Sequence, residues 1–204
     1  QNWLMLYALS HWAFGPSRLL EHVSEEARER IMPGLMSGTE SMCFGLSEPN
    51  AGSDASMIGT RATSDGDGWR LNGRKIWTTN APVANYCIVF AVTDARAAAA
   101  KRGGISAFLV PTDSPGFTVQ RVIKLFGHIG GDEAELAFED IQVEPWQLVG
   151  ELNQGFKAAL YGVSLGRIYN SARSVGTGRW ALEQALEYAN TREAFGAPIA
   201  TYQG

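Results

Sequence analysis

Cysteine is almost missing from this sequence: Cys43 and Cys87 are the only two in 204 residues. The two could pair, but two thiols among apolar neighbours in a chain this long read as buried, reduced residues of a cytosolic-type protein. Histidine is nearly as scarce, with three, and none stands near a cysteine at metal-ligand spacing, which argues against a zinc site. No apolar run approaches the length that crosses a bilayer. Positive charge is not in excess either. Seventeen basic residues face 21 acidic ones, a formal net charge of -4, so nucleic acid is not the expected partner. The first twenty residues are apolar in part but carry no basic leader, so they are not expected to be a signal peptide. An initiator Met is also lacking and the chain stops abruptly at Gly204, so we expect a piece of a longer protein. What remains, 45% hydrophobic and 19% charged, is the balance of an ordinary globular chain with material for one or two domains.

Three textures follow one another. Ser24 suits a helix N-cap, with Glu25 and Glu26 at the positive end of the dipole. Ala27, Ile31 and Leu35 share one helical face, Pro33 limits its regular run, and Gly38 closes it. From about residue 41 to 150 the chain turns to short runs rich in aromatic and β-branched residues, at 41–46, 68–71, 75–79, 86–92, 106–110 and 134–138. Turn signals separate them: Asp65-Gly66-Asp67-Gly68, Asn72-Gly73, Gly103-Gly104 and Ser114-Pro115-Gly116. Asn72-Gly73 reads as a hairpin turn, and Ala95 to Arg102 as an exposed loop or helical turn. Many short strands at regular spacing predict an antiparallel barrel or sandwich. Beyond Gly150 the period is helical again: Phe156, Ala159, Leu160, Val163, Ile168, Ala172, Val175 and Ala189 fit one buried face. Gly162, Gly166, Gly176 and Gly178 within it call for close approach by a neighbour. Gly196-Ala197-Pro198 is expected to end that helix. The fold class is α+β: an antiparallel, barrel-like middle domain flanked by helical segments. Its domains run 1–37, 38–150 and 151–204.

Three stretches carry candidate chemistry. Phe44-Gly45-Leu46-Ser47-Glu48-Pro49-Asn50-Ala51-Gly52-Ser53-Asp54 is a strand entering a loop of small residues. Such a loop either makes a plain Gly-Ser turn or offers amides and hydroxyls to an anion or a planar ligand's edge. Asn72-Gly73-Arg74-Lys75-Ile76-Trp77-Thr78-Thr79-Asn80 puts Trp77 on a strand. It is either a core indole or half of a ring-plus-donor arrangement for a flat polar cofactor. Asn190-Thr191-Arg192-Glu193-Ala194-Phe195-Gly196 places an arginine at a helix end, to serve the dipole or to bind phosphate.

Taken in order, the Leu-Ser-Glu-Pro-x-Ala-Gly-Ser-Asp, Gly-x-Lys-x-Trp-x-Thr-Asn and Arg-Glu-Ala-Phe-Gly runs resemble the acyl-CoA dehydrogenase family. Phe138-Glu139-Asp140-Ile141-x-Val143 with Pro145 resembles that family's last β segment. Gly155-Phe156-Lys157 followed by Gly166-Arg167 resembles the entry to its C-terminal bundle. The resemblance implies an N-terminal helical domain, a middle β domain and a C-terminal four-helix bundle, with FAD between the last two. It implies an acyl-CoA thioester substrate, a carboxylate that takes the α proton, a hydride passing from Cβ to flavin N5, and electrons leaving to an electron-transferring flavoprotein. Phe44, Leu46 and Ser47 are then expected to line the flavin, Trp77 to lie against it, and Thr79 to hydrogen-bond near N5. Gly52 and Ser53 are expected where pyrophosphate or the CoA arm passes. Arg192, with Phe195, resembles the group that reaches the FAD pyrophosphate across a subunit interface, which implies a homodimer or homotetramer. Arg167 resembles the arginine beside thioester and base, an ion pair within the bundle being the other reading.

Two departures stand out. Most members carry the base later than the position of Gly204. A minority carry it directly before the arginine matched by Arg167, where this chain has Gly166, and glycine takes no proton. The loop His128-Ile129-Gly130-Gly131-Asp132-Glu133 also replaces a family serine or arginine, and His128 reads equally as a solvated residue. His11 and His22 receive no role, and Glu183 and Glu187 read as a solvated helix face. Flavin oxidases, nitroalkane oxidases and monooxygenases of the same fold, a scaffold without a base, and a flavin-free β-module are the rival functions. The compartment expected is a bacterial cytoplasm or a mitochondrial matrix.

Overall fold

The computed structural model describes residues 16–126 and 132–202; His11 and His128 lie outside them. Two compact units are present, one extending through Leu165 and the other beginning at Gly166.

In the first unit, a 3₁₀ turn at Pro16–His22 leads into α1, Glu25–Ser37. The Ser24 hydroxyl accepts from Ala27 N at 3.1 Å and donates to Trp146 O at 2.8 Å, so the cap also ties the helix to a distant loop. Ala27, Ile31 and Leu35 are buried as one face, and Gly38 ends the helix in the left-handed conformation. Pro33 does not stop it; the helix runs four residues further.

An eight-stranded sheet follows: β1 Met42–Gly45, β2 Arg61–Asp65, β3 Gly68–Thr79, β4 Tyr86–Val92, β5 Ile105–Pro111, β6 Phe117–Ile123, β7 Glu133–Val143 and β8 Leu148–Val149. Its order is β6-β7-β3-β2-β4-β5-β8, with β1 beside β4. The expected barrel does not close. The sheet has open ends at β6 and β8, and it is mixed rather than purely antiparallel, because β4 pairs in parallel with both β1 and β2. β4 explains this placement. Its Tyr-Cys-Ile-Val-Phe-Ala-Val run is buried on both faces, as a central strand must be. Cys87, Val89 and Ala91 join Phe108, Leu136 and Phe138 in one apolar cluster, while Ile88 and Phe90 join α1's Ile31 and Leu35 in another. Cys43 and Cys87 stand opposite each other on β1 and β4, free and buried.

Asn72-Gly73 makes no hairpin. The turn between β2 and β3 is at Asp65–Gly68, and β3 runs unbroken through Asn72 and Gly73. Here the ladder to β7 slips. The Asn72 amide both donates to the Asp140 carboxylate and accepts from Asp140 N, each at 2.9 Å. The Asn-Gly turn chemistry is used to absorb a bulge across the pair, not to reverse the chain. The Ala95–Ala99 stretch is a short helix, α2, capped by Asp94.

α3, Gly155–Thr191, is the long helix expected after Gly150. Its first turns pack Phe156 and Ala159 on the β unit's core. Further along, the expected buried face is not buried. Ile168 and Val175 of that face are exposed, and a Cβ at Gly166, Gly176 or Gly178 would meet nothing within 4 Å. The apolar period is there, but the described residues supply no partner to cover it. The helix ends at Thr191, earlier than expected. Gly196 instead forms, with Phe195, the positive-φ turn of a small hairpin, β9 Glu193–Ala194 with β10 Ala197–Pro198. No helix among the described residues is long and apolar enough to cross a membrane.

Candidate functional site

The site grows from one irregularity in β3. Between Lys75 and Thr78 the register to β7 shifts, so that three steps on β3 match two on β7, from Leu136 to Ala134. The extra residue is absorbed at Ile76 and Trp77. Trp77 sits at φ 59°, a region that costs a bulky residue about 1–3 kcal/mol. The bulge inverts the side-chain phase. Period-2 spacing would put Lys75, Trp77 and Thr79 on one face. In the structure Lys75 points into the core with no exposure and Trp77 points out, 55% exposed. The reading of Trp77 as a core indole fails here: a large ring is held outward by strained backbone.

The bulge also joins two of the three motifs. Ile76 N, released from the ladder, donates to Ser47 O at 2.9 Å. Beneath it, Lys75 Nζ donates to Leu46 O at 3.1 Å and to Glu48 Oε1 at 2.8 Å. Glu48 in turn accepts from Gly59 N at 2.6 Å and Thr60 N at 3.0 Å. Its backbone pairs with Ala51 in both directions, folding Pro49-Asn50 into a tight turn. The loop thus leaves β1 with its backbone fixed at Leu46, Ser47, Glu48 and Ala51.

The electrostatics of the pair follow from burial. Burial pulls the Lys75 ammonium down to about 8, with the Glu48 carboxylate pulling the other way. Burial pushes Glu48 up, but the Lys75 charge and the hydrogen bonds from Lys75, Thr60 and Gly59 outweigh it, and the carboxyl lies below its usual range. Neighbouring Cys43 is raised well above the ordinary thiol range, first by the Cys87 thiol beside it and then by burial.

The remaining expected residues are distributed as follows. Phe44 and Leu46 are partly buried against the core, Phe44 with its ring centroid 4.9 Å from that of Phe90. Ser47 is half-buried, and Gly52 and Ser53 lie exposed on the loop that Asp54 caps. The Thr79 hydroxyl donates to the Glu133 carboxylate, 2.7 Å from both oxygens. Thr78 beside it is fully buried with its hydroxyl unpartnered. Arg167, Arg192 and Phe195 belong to the second unit and are exposed there, Phe195 almost completely. Arg192 O accepts from Ile199 N at 2.8 Å, and the Phe195 ring meets Tyr202 edge-on at 6.4 Å. Gly166 is an ordinary position inside α3, and Glu183 has an exposed ion pair with Arg179, as a solvated face should.

Glu48 and Lys75 are the residues that the sequence reading did not single out. The available signal was a lysine inside a strand, in phase with buried Leu71, together with an acid in the loop to meet it. Among the described residues no group of three metal-ligating side chains occurs. An open cavity of about 490 Å³, bordered by Glu21, His22, Glu151, Lys157 and Tyr161, contains none of the expected site residues.

Residues 43–141 match the model of the acyl-CoA dehydrogenase middle domain, and 153–204 that of the acyl-CoA dehydrogenase C-terminal domain. The chain is 42% identical over 193 residues to a probable acyl-CoA dehydrogenase, YngJ, of Bacillus subtilis, covering 94% of this chain and 50% of that protein. It is 40% identical over 185 residues to the human mitochondrial short-chain specific acyl-CoA dehydrogenase, covering 91% of this chain and 44% of that one. A glutaryl-CoA dehydrogenase from Mycobacterium smegmatis, solved in complex with FADH2, superposes with a TM-score of 0.84 at 32% identity, over 95% of this chain and 48% of that one. The chain therefore spans about half the length of the relatives it matches.

Proposed function

The chain belongs to the acyl-CoA dehydrogenase family, and from that premise we propose that it takes part in FAD-dependent α,β-dehydrogenation of an acyl-CoA thioester. The observation that carries this is the Trp77 bulge tied to Ser47. A fold does not keep a tryptophan at φ 59° and over half exposed unless the ring has something to meet. A flat heteroaromatic system is what such a surface suits.

The residues present fit that group. Trp77 would lie against the flavin ring, Phe44, Leu46 and Ser47 would line it, and Gly52 and Ser53 would face the pyrophosphate or the CoA arm. Thr79 would hydrogen-bond near N5. Its hydroxyl proton is directed at Glu133, so towards N5 Thr79 would present an accepting oxygen rather than a donor. Bound FAD would supply the hydride acceptor for the substrate's β hydrogen. Amides and hydroxyls fixed in advance, as the loop from Leu46 to Ala51 is, stabilise developing negative charge without reorganising. Arg167 would stand beside the thioester, and Arg192 and Phe195 would reach the cofactor of a neighbouring copy, making the working protein a homodimer or homotetramer. The base that takes the α proton is assigned to a residue other than Gly166. The same reading divides the chain into 1–37, 38–150 and 151–204 and names an electron-transferring flavoprotein as acceptor. The cellular setting it implies is a bacterial cytoplasm or a mitochondrial matrix.

The test is an absorbance spectrum of the purified protein, taken before and after a panel of acyl-CoA thioesters is added without air. Flavin bands that bleach with thioesters of one chain-length range are the expected result. Tightly bound flavin that stays oxidised with every thioester would remove the dehydrogenase reading. Bleaching with a nitroalkane, or oxygen uptake during turnover, would move the chain to an oxidase or monooxygenase.

A further inference from the structure

Resting on the flavin reading above, we propose that the buried Glu48–Lys75 pair is a positioning clamp, which holds the flavin-side loop after β1 and the Trp77 bulge of β3 in one fixed relation. Three separate segments meet at it. The loop contributes Leu46 O, β3 contributes the Lys75 ammonium, and the stretch entering β2 contributes the amides of Gly59 and Thr60. Lys75 has no exposure and the Glu48 side chain only 9%. Lys75 pairs with Leu136 in the last regular step before the bulge, and the next amide, Ile76 N, already bonds Ser47 O.

Stability alone does not account for such a pair. Desolvating two charges offsets most of what their attraction returns, and a well-packed apolar pair holds a core at least as firmly. A hydrocarbon, however, cannot accept two backbone amides or donate to Leu46 O. Those bonds fix a backbone, and that backbone carries Leu46, Ser47 and, one residue beyond Ile76, Trp77. Directional bonds to loop backbone are needed where a loop must hold one geometry for a ligand.

Two variants test this in the purified protein: the double Glu48→Gln/Lys75→Met, which removes both charges together, and Glu48→Asp, which keeps the charge and shortens its reach. FAD dissociation constant, flavin fluorescence and melting temperature are read for each. In the double variant the melting temperature should stay close to the unaltered protein's, whereas Glu48→Asp, which leaves buried charges at the wrong distance, should lower it. FAD binding should weaken by about tenfold or more, the effect of losing a charged hydrogen bond, with less quenched flavin fluorescence. Unchanged FAD affinity and quenching in both variants would overturn the clamp and leave a purely structural ion pair, while the dehydrogenase reading stands. An unaltered protein that binds no FAD would overturn both.

Discussion

Lys75→Met is expected to lower the free energy of unfolding by about 3–5 kcal/mol, because it leaves a buried carboxylate without its counter-charge. Methionine follows the lysine stem, so little volume is lost and the cost is electrostatic. In the folded variant Glu48 keeps the Gly59 and Thr60 amides but loses the ammonium 2.8 Å away. Against a typical total of about 5–15 kcal/mol this is a large fraction. Urea denaturation should show a lower midpoint with an unchanged slope. Adding Glu48→Gln to Lys75→Met should restore most of the loss, since the orphaned charge disappears with it. A loss below about 1 kcal/mol in the single variant would place the pair with exposed ion pairs and contradict its burial.

The same pair gives stability a pH signature with opposite arms. Glu48 lies below its usual range in the folded protein, so its contribution is present above the unfolded carboxyl's pKa and is lost as pH falls through the folded one. Lys75 is lowered from 10.5 to about 8. Between those values the unfolded chain binds the proton and the folded chain does not, so stability rises with pH across that window. Relative to the Glu48→Gln/Lys75→Met variant, the unaltered protein should therefore lose stability in acid and gain it from about pH 8 towards 10. Guanidinium unfolding of both proteins at four or five pH values checks it, and a flat difference across that range would mean that Lys75 titrates normally.

Much of the fold was legible because local chemistry and burial agreed. Ser24, Ala27, Ile31, Leu35 and Gly38 set α1 within a residue of its ends, and the apolar run at 86–92 marked β4 as a strand. β2 and β6 were not legible. β2 buries only Ala62, and β6 is an edge strand whose central residues face solvent, so neither carries an alternating signal. At Asn72-Gly73 a strong turn signal pointed the wrong way, because Asn72 pairs with Asp140 and Gly73 with Phe138 inside a continuous strand. Two of the three motifs, around Ser47 and Trp77, meet in the structure, but periodicity put Lys75 and Trp77 on one face. Only the bulge separates them, and it depends on the register of β7, some sixty residues later in the chain.

Gly73→Ala should cost about 2–4 kcal/mol, and it should weaken FAD binding as well, whereas Gly66→Ala should cost about 1 kcal/mol and leave binding alone. Both glycines have positive φ, 152° and 61°, but only Gly66 lies in the left-handed helical region that other residues tolerate, so strain already separates them. Space separates them further. A Cβ on Gly66 would meet nothing within 4 Å, because it lies in the open turn between β2 and β3. A Cβ on Gly73 would stand 2.4 Å from Thr60 Oγ1 and 2.7 Å from Thr60 Cα. Thr60 is almost fully buried and is not free to retreat. Its hydroxyl donates to Arg74 O at 3.2 Å and its amide to Glu48 at 3.0 Å. Moving Thr60 therefore withdraws an amide from the carboxylate that also holds Lys75, and the disturbance passes to Leu46 and Ser47 through bonds already in place. Chemical denaturation and FAD titration of the two variants decide it. Equal, small losses in both would mean that the sheet yields locally at Gly73 and that Thr60 does not transmit strain to the loop. A large loss confined to Gly73→Ala, with FAD affinity falling alongside stability, would show that the β2–β3 packing and the flavin-side loop behave as one unit.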